Sequence, residues 1–540
     1  MIAKKLSSES KASATEVPSI KLFTIGDSIS QGFMSMAAAR TDLSYSSIVA
    51  REMDWISDHP FWDKGGHPLN LELFFRKLTK RIGHEWDTWN PFELIKLVDG
   101  AMDILDSVED FYERGEGIYD SDYVPVKNGN DILHQDFFHN VAVRGFNVAD
   151  AWTVSADLAK RMIDKDKDSF IDNRLGGPSA SFFRTAARVL SRLPQTKPQY
   201  NTYTAIDWLE HHTKHNGGVE NVFLWLGSNN ALATVLDMKI SQSPGNLPPL
   251  PRVSTALNDK ERSHLYALYE NYYNKYNLWH INDFLNDYQL LLDYVDKALI
   301  NSPVDTKVFL GTIPYVTIAP IARGMGKEFE INGRRYFEYY TYFPFDDERL
   351  ADHPKLPVLR LSEVLFIEET IAGYNRVIKE LVAARNKDLK KSRYYIVDIA
   401  TSFEQMAFRR NHGVPAYTFP DYINNRYPKP DTRFYERHQN QGSKGGLFSL
   451  DGVHPTAIGQ GLLAYEFMCA MLGAGIKMET VQQKIIKNNV ESFVAVPKIN
   501  WERIYNDDLL YSHPLPLAME IFKHDRLKKF VIESAHYFKR

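Results

Sequence analysis

The stretch "IKLFTIGDSISQG", Ile20 to Gly32, sets the pattern for the chain. A short β-rich apolar run, Ile20 to Ile25, stops at Gly26, and Gly26-Asp27-Ser28 turns into "SISQGFMSMAAAR", Ser28 to Arg40, which reads as a following helix. Glycine permits a sharp exit from a strand, and a helix starting there aims its first N–H groups at a developing anion. Taken alone, Gly-Asp-Ser is also ordinary turn chemistry. At this point Ser28 is equally a nucleophile or a polar residue in a turn.

Four further runs share this character: "HNVAV" (139 to 143), "NVFLWLG" (221 to 227), "KVFLGTI" (307 to 313) and "YYIVDI" (394 to 399). Each is short with little strict alternation, as in strands covered by helices on both faces. Between them lie segments with apolar residues recurring at three and four, such as "DFLNDYQLLLDYVDKALI" (283 to 300) and "EETIAGYNRVIKELVAARNK" (368 to 387). Strands alternating with helices predict an α/β fold, a five-stranded parallel sheet in a doubly wound sandwich.

The spacing between runs is too long for plain connections. The expected organisation is a polar tail over 1–18 and a domain over 19–475. Insertions fall at about 52–137, 235–305, 316–370 and 402–445, and an extension covers 476–540. Aromatic-rich pieces of the insertions, "YALYENYYNKYNLWHINDF" (266 to 284) and "RRYFEYYTYFPF" (334 to 345), suit either a cap lining a cleft or that cap's own packing. Large rings usually serve cores, so packing is the expectation for most of them.

With 540 residues, core size sets no limit. Hydrophobic residues at 44% and charged residues at 24% are those of a globular protein. The net charge of −4, with no long basic run, argues against a nucleic acid partner. The single cysteine, Cys469 in "YEFMCAML", excludes an intrachain disulfide and a cysteine-built metal site, and is expected on a buried helix face. The first residues lack the apolar segment of a secretory signal, and no run approaches the ~18 apolar residues of a membrane span. As written, the chain is expected to be cytoplasmic, with secretion after removal of a signal ahead of this numbering left open.

In open parallel sheets the ligand crevice lies beyond the carboxyl ends of the strands, which selects the residues just after each run. After the second run, in "NVAVRGFNVADAW" (140 to 152), Gly145 either brings its N–H near a reacting oxygen or makes a turn. After the third, in "WLGSNNAL" (225 to 232), the Asn229 amide either donates to an oxyanion or satisfies a loop. Near the end, "FSLDGVHPTAIGQGLLAYEF" (448 to 467) sets Asp451 three residues before His454. An imidazole takes a proton from a hydroxyl while a carboxylate on its other nitrogen fixes the tautomer. Gly452 relaxes the turn between them, Pro455 suits the first turn of a helix, and Ile458, Leu462, Tyr465 and Cys469 follow at helical spacing.

These four stretches, Gly26-Asp27-Ser28, Gly145, Gly227-Ser228-Asn229 and Asp451-Gly452-Val453-His454-Pro455, resemble in this order the four blocks of the GDSL-like SGNH hydrolases. The resemblance implies a flavodoxin-like three-layer α/β/α sandwich with a cap formed by the insertions. It implies Ser28 as nucleophile and oxyanion donor, Gly145 and Asn229 as the other oxyanion donors, His454 as base and Asp451 as its orienter. No cofactor is implied. Asn140 resembles the asparagine that often precedes the block glycine. Asn230 stands where the third block usually carries aspartate, and "GDSIS" varies the common Gly-Asp-Ser-Leu.

The expected activity is hydrolysis of a carboxylic ester, from a small molecule, lipid or glycan, through an acyl-serine. The same residues would serve an acyltransferase with an alcohol acceptor, and a binding module that kept the fold without the chemistry is the rival from another class. "DKDKDSFIDN" places Asp164, Asp166, Asp168 and Asp172 at calcium-loop positions, but Ser169 replaces the glycine and Leu175 the bidentate glutamate, so a solvated loop is expected. His211, His212 and His215 lack a surrounding metal motif and are expected at an exposed helix end. Neither group is read as a metal site.

Overall fold

Apart from isolated positions, the computed structural model describes residues 18–82, 138–165, 181–190, 198–253, 275–342, 357–426, 446–487 and 490–515. Its centre is a parallel four-stranded sheet: β1 (Phe23–Gly26), β2 (Asn221–Trp225), β3 (Lys307–Gly311) and β4 (Tyr394–Val397), neighbours in that order. The registers run Phe23 to Val222, Val222 to Val308 and Val308 to Tyr394.

Side chains alternate across a strand, so these runs feed two apolar layers at once. Phe23, Ile25, Val222, Leu224, Val308 and Leu310 face one layer. It is completed by helices at Ala205–His215, Ile281–Leu299 and Leu361–Lys387 through Leu209, Leu291 and Ile371. Phe223, Trp225, Phe309 and Val397 face the other, where Tyr45, Ile48, Leu462 and Phe467 belong to helices Tyr45–Glu52 and Ala457–Gly473.

The fifth expected strand forms only in part. Residues 139–143 lie parallel to β1 on its outer side, joined by Thr24 N to His139 O (2.8 Å), Val141 N to Thr24 O (3.0 Å) and Val143 N to Gly26 O (3.1 Å). The segment makes a single bridge rather than a ladder. Between Val141 and Val143, whose N–H groups face β1, the Ala142 N–H faces away and donates to Asn140 Oδ1 at 3.0 Å.

The helix expected over Ser28–Arg40 is also shorter than its composition suggests. It is one turn, α1 (Ser28–Gln31), closed by Gly32 at φ +77°, where a Cβ would meet the Arg40 carbonyl at 2.7 Å. Short antiparallel strands at Phe33–Met34 and Ala37–Ala38 follow.

Within the described residues the aromatic-rich insertions pack. Tyr336, Tyr340 and Tyr342 of the hairpin Ala322–Ile331/Arg334–Tyr342 are buried, as are Trp279 and Phe284. A buried Arg410–Glu368 ion pair (2.8 Å), with the Tyr336 hydroxyl donating to Glu368 at 2.8 Å, fixes that hairpin against the helix Leu361–Lys387. Residues 501–512 pack on the helix Ala457–Gly473, and Asp508 accepts from Ile458 N (3.0 Å) in its first turn. Cys469 is half-buried on that helix, and burial pushes its thiol up to about 12. Among the described residues no helix is long and apolar enough to cross a membrane.

Candidate active site

The exit of β1 is held by a small set of polar bonds. Gly26 has no room for a side chain, since a Cβ would lie 2.1 Å from Ser30 Oγ. Asp27 caps α1 by accepting from Ile29 N at 3.0 Å. Ser28 is therefore the first residue of a helical turn, where N–H groups have no intrahelical partner, and its side chain is 5% exposed.

Gly145 stands beside this exit. Val143, Arg144, Gly145 and Phe146 form a β-turn closed by Phe146 N to Val143 O (3.1 Å), with Gly145 third at φ +78°, the positive value a type II turn requires there. Three bonds fix the turn from three sides. Val143 N reaches Gly26 O, Arg144 N donates to Gln31 Oε1 at 3.0 Å, and Asn229 Nδ2 donates to Phe146 O at 2.8 Å. The serine turn, the glycine turn and the helix Asn229–Asp237 are thus joined at one place. An amide nitrogen carries two hydrogens, so the Phe146 bond leaves one N–H of Asn229 for a ligand.

The Asp451–His454 turn closes the constellation. His454 Nδ1 donates to Asp451 Oδ2 at 2.9 Å, the only sense a carboxylate allows, so Nε2 is the acceptor for the Ser28 hydroxyl, also at 2.9 Å. The second oxygen, Oδ1, accepts from Val453 N (2.9 Å) and His454 N (2.8 Å), while Oδ2 also accepts from Met36 N (2.9 Å). Burial pushes the Asp451 carboxyl up, but the charge of His454 and these bonds outweigh it and hold the group below the usual carboxylate range. Gly452, at φ +67°, gives its carbonyl to Ile321 N (3.0 Å), which braces the turn from the segment after β3. Phe33 lies against the imidazole, with ring centroids 4.7 Å apart.

The structure thus brings Ser28, His454 and Asp451 into one bonded chain and sets Gly145 and Asn229 around it. Asn140 serves elsewhere: its Nδ2 donates to Ser30 O (2.9 Å) and Ser46 Oγ (3.1 Å), pinning 139–143 to the serine turn. Asn230 is fully buried, with Oδ1 accepting from Val148 N at 3.2 Å. The histidine trio departs from expectation, because His211 and His212 are buried and only His215 is exposed. Trp208 and Tyr203 pack on His211, and Phe23 on His212, which turns that helix face inward. Among the described residues no group of three or more His, Cys, Asp or Glu is placed to hold a metal ion. The acidic loop lies outside the described residues from Asp166 onward.

Sequence reasoning missed Gln31, Phe33, Ser35, Met36 and Ser449. Most of these act through backbone groups or local packing, which leave no mark in residue type. Comparison with protein-family models, curated proteins and solved structures returns no match for this chain.

Asp27 gives a test of the electrostatics. Burial raises its carboxyl to about 6, against the Ile29 N–H bond and the nearby His454, which lower it. A folded value above the unfolded ~3.9 means that the contribution to stability is full below about pH 4 and is lost as pH rises through about 6. The two-unit gap corresponds to roughly 3 kcal/mol at neutral pH. Asparagine caps helices as well as aspartate does. Asp27→Asn is therefore expected to stabilise the protein at pH 7.5 by about 1–3 kcal/mol more than at pH 4. Thermal unfolding at the two pH values reads the difference; equal effects at both would show that burial does not raise the Asp27 carboxyl.

Proposed function

We propose that this chain is a serine ester hydrolase that cleaves carboxylic esters through an acyl-serine intermediate, on the plan of the SGNH hydrolases it resembles. The fold is read as the three-layer α/β/α sandwich of that plan, with residues 139–143 as its outer fifth strand. The observation that carries the proposal is the bonded chain Ser28 Oγ, His454 Nε2, His454 Nδ1 and Asp451 Oδ2, assembled from residues 426 positions apart.

In the proposed reaction Ser28 Oγ attacks the ester carbonyl carbon and its proton passes to His454 Nε2. The carbonyl π electrons move to oxygen, and the resulting oxyanion accepts from the N–H groups of Ser28 and Gly145 and the remaining N–H of Asn229. Collapse breaks the bond to the alcohol oxygen, which leaves with the proton from His454. Water then gives a proton to His454, attacks the acyl carbon, and the acid departs as Ser28 regains its hydrogen. Asp451 stays ionised and steadies the imidazolium at each stage.

Turnover of acyl esters from two to sixteen carbons and of acetylated glycans, with and without added alcohols, tests this reading. Free acid is the expected product; an ester of the added alcohol as the main product would show acyl transfer instead, and no turnover of any ester would contradict the proposal. Loss of one side-chain donor to an oxyanion typically costs 10²–10³ in kcat. Asn229→Ala is expected to lose that much in a folded protein, and kcat within about threefold of the parent would remove Asn229 from the hole.

A further inference from the structure

Ser35 and Met36 are consecutive non-glycine residues at φ +49° and +66°, a conformation that L side chains disfavour. Such backbone persists where surrounding bonds over-determine it, and it concentrates at functional sites. Here the bonds are explicit. Ser35 N donates to Ser449 Oγ at 2.7 Å, and Ser35 Oγ accepts from Leu450 N at 3.3 Å, so Ser35 is held from both its main chain and its side chain by the segment 449–450; Ser35 and Ser449 are each 1% exposed. The next N–H, that of Met36, reaches Asp451 Oδ2 at 2.9 Å, the same oxygen that accepts from His454 Nδ1.

We infer that Ser35, Met36 and Ser449 form a positioning clamp that aims the Met36 N–H at the Asp451 carboxylate and so tunes the base His454. The inference rests on the triad proposed above. An N–H directed at the carboxylate stabilises its charge and weakens its pull on the imidazole proton. Without that N–H, Oδ2 is the stronger acceptor and the imidazolium keeps its proton to higher pH. Two other ionisable groups lie nearby: Asp27, on the serine turn, which interacts with His454, and Arg144, whose guanidinium lies 5.5 Å from the centroid of the Phe33 ring on which the imidazole packs. Neither belongs to the clamp, so both stay constant when the clamp is changed.

Ser449→Ala removes the acceptor that fixes Ser35 N, and Ser449→Thr retains a hydroxyl. The acid limb of the kcat/KM profile is expected to move upward by about half a pH unit in Ser449→Ala and to return in Ser449→Thr, whereas damage to packing alone would lower the plateau without moving the limb. Should Ser449→Ala fail to fold, Ser35→Ala, which leaves Leu450 N without its acceptor, carries the same expectation. An unmoved limb in a folded alanine variant, or a shift that threonine does not reverse, overturns the clamp. A readout independent of turnover uses [¹⁵N]Met-labelled protein carrying Ser28→Ala. The Met36 amide proton is expected to move upfield when Asp451→Asn is added, as a bond to a charged oxygen is lost. No movement also overturns the clamp, while absence of esterase activity alone contradicts the functional proposal and leaves this measurement intact.

Discussion

Ser28→Ala is expected to lower ester turnover by about 10⁴–10⁶ while leaving the protein folded. The hydroxyl is the only group of Ser28 that the substitution deletes, and it removes the atom that forms the covalent bond. The turn itself does not depend on it, because α1 is held by the Asp27 cap, the Gly32 terminus and the bond from Arg144 N to Gln31. Folding is checked by thermal unfolding and turnover by release of nitrophenol from a short ester. Activity within tenfold of the parent would mean that another group attacks the ester.

The second large effect is expected at Asp451, where asparagine should cost about 10⁴ in kcat. Val453 N and His454 N both donate to Oδ1, so an asparagine keeps its oxygen there and turns its NH₂ toward His454 Nδ1 and the Met36 N–H. A donor then faces Nδ1, which selects the imidazole tautomer with its hydrogen on Nε2, where it cannot accept the Ser28 proton. The same NH₂ faces the Met36 N–H as donor against donor, so a loss of stability accompanies the loss of rate. If Asp451→Asn retains more than a tenth of the parent kcat, the carboxylate does not set the tautomer.

The parts of this picture that were legible in the sequence are those written in side-chain chemistry. Four apolar runs became the four strands of the parallel sheet because a strand buried on both faces must be apolar throughout. Asp451 and His454 are bonded across a turn built by Gly452, as their spacing and the intervening glycine suggested. The fifth run lies beside β1, as its apolar residues suggested, but its pairing stops at a single bridge. The short α1 ends at Gly32, which takes the left-handed C-cap conformation at φ +77° and returns its N–H to Ile29 O, a glycine stop that the small residues after it obscure. His211 and His212 were misplaced because burial depends on which face of a helix meets its neighbours.

The donors that complete the site were the least legible. Nothing in "FMSMAAAR" marks Ser35 and Met36 as left-handed, and a Met side chain says nothing about a main-chain N–H that reaches Asp451. Gln31 is likewise defined by where its Oε1 falls, on Arg144 N of the glycine turn. The reacting groups are thus carried by residue type, and their orientation by backbone placement.

The central claim is that the Ser28 hydroxyl, bonded to His454, is a nucleophile. Treatment of the folded protein with a fluorophosphonate, followed by peptide mass spectrometry, tests it most directly. A single phosphonyl adduct on Ser28, absent in His454→Ala, is the result expected. A folded protein that stays unmodified, or is modified at a different residue, would contradict it.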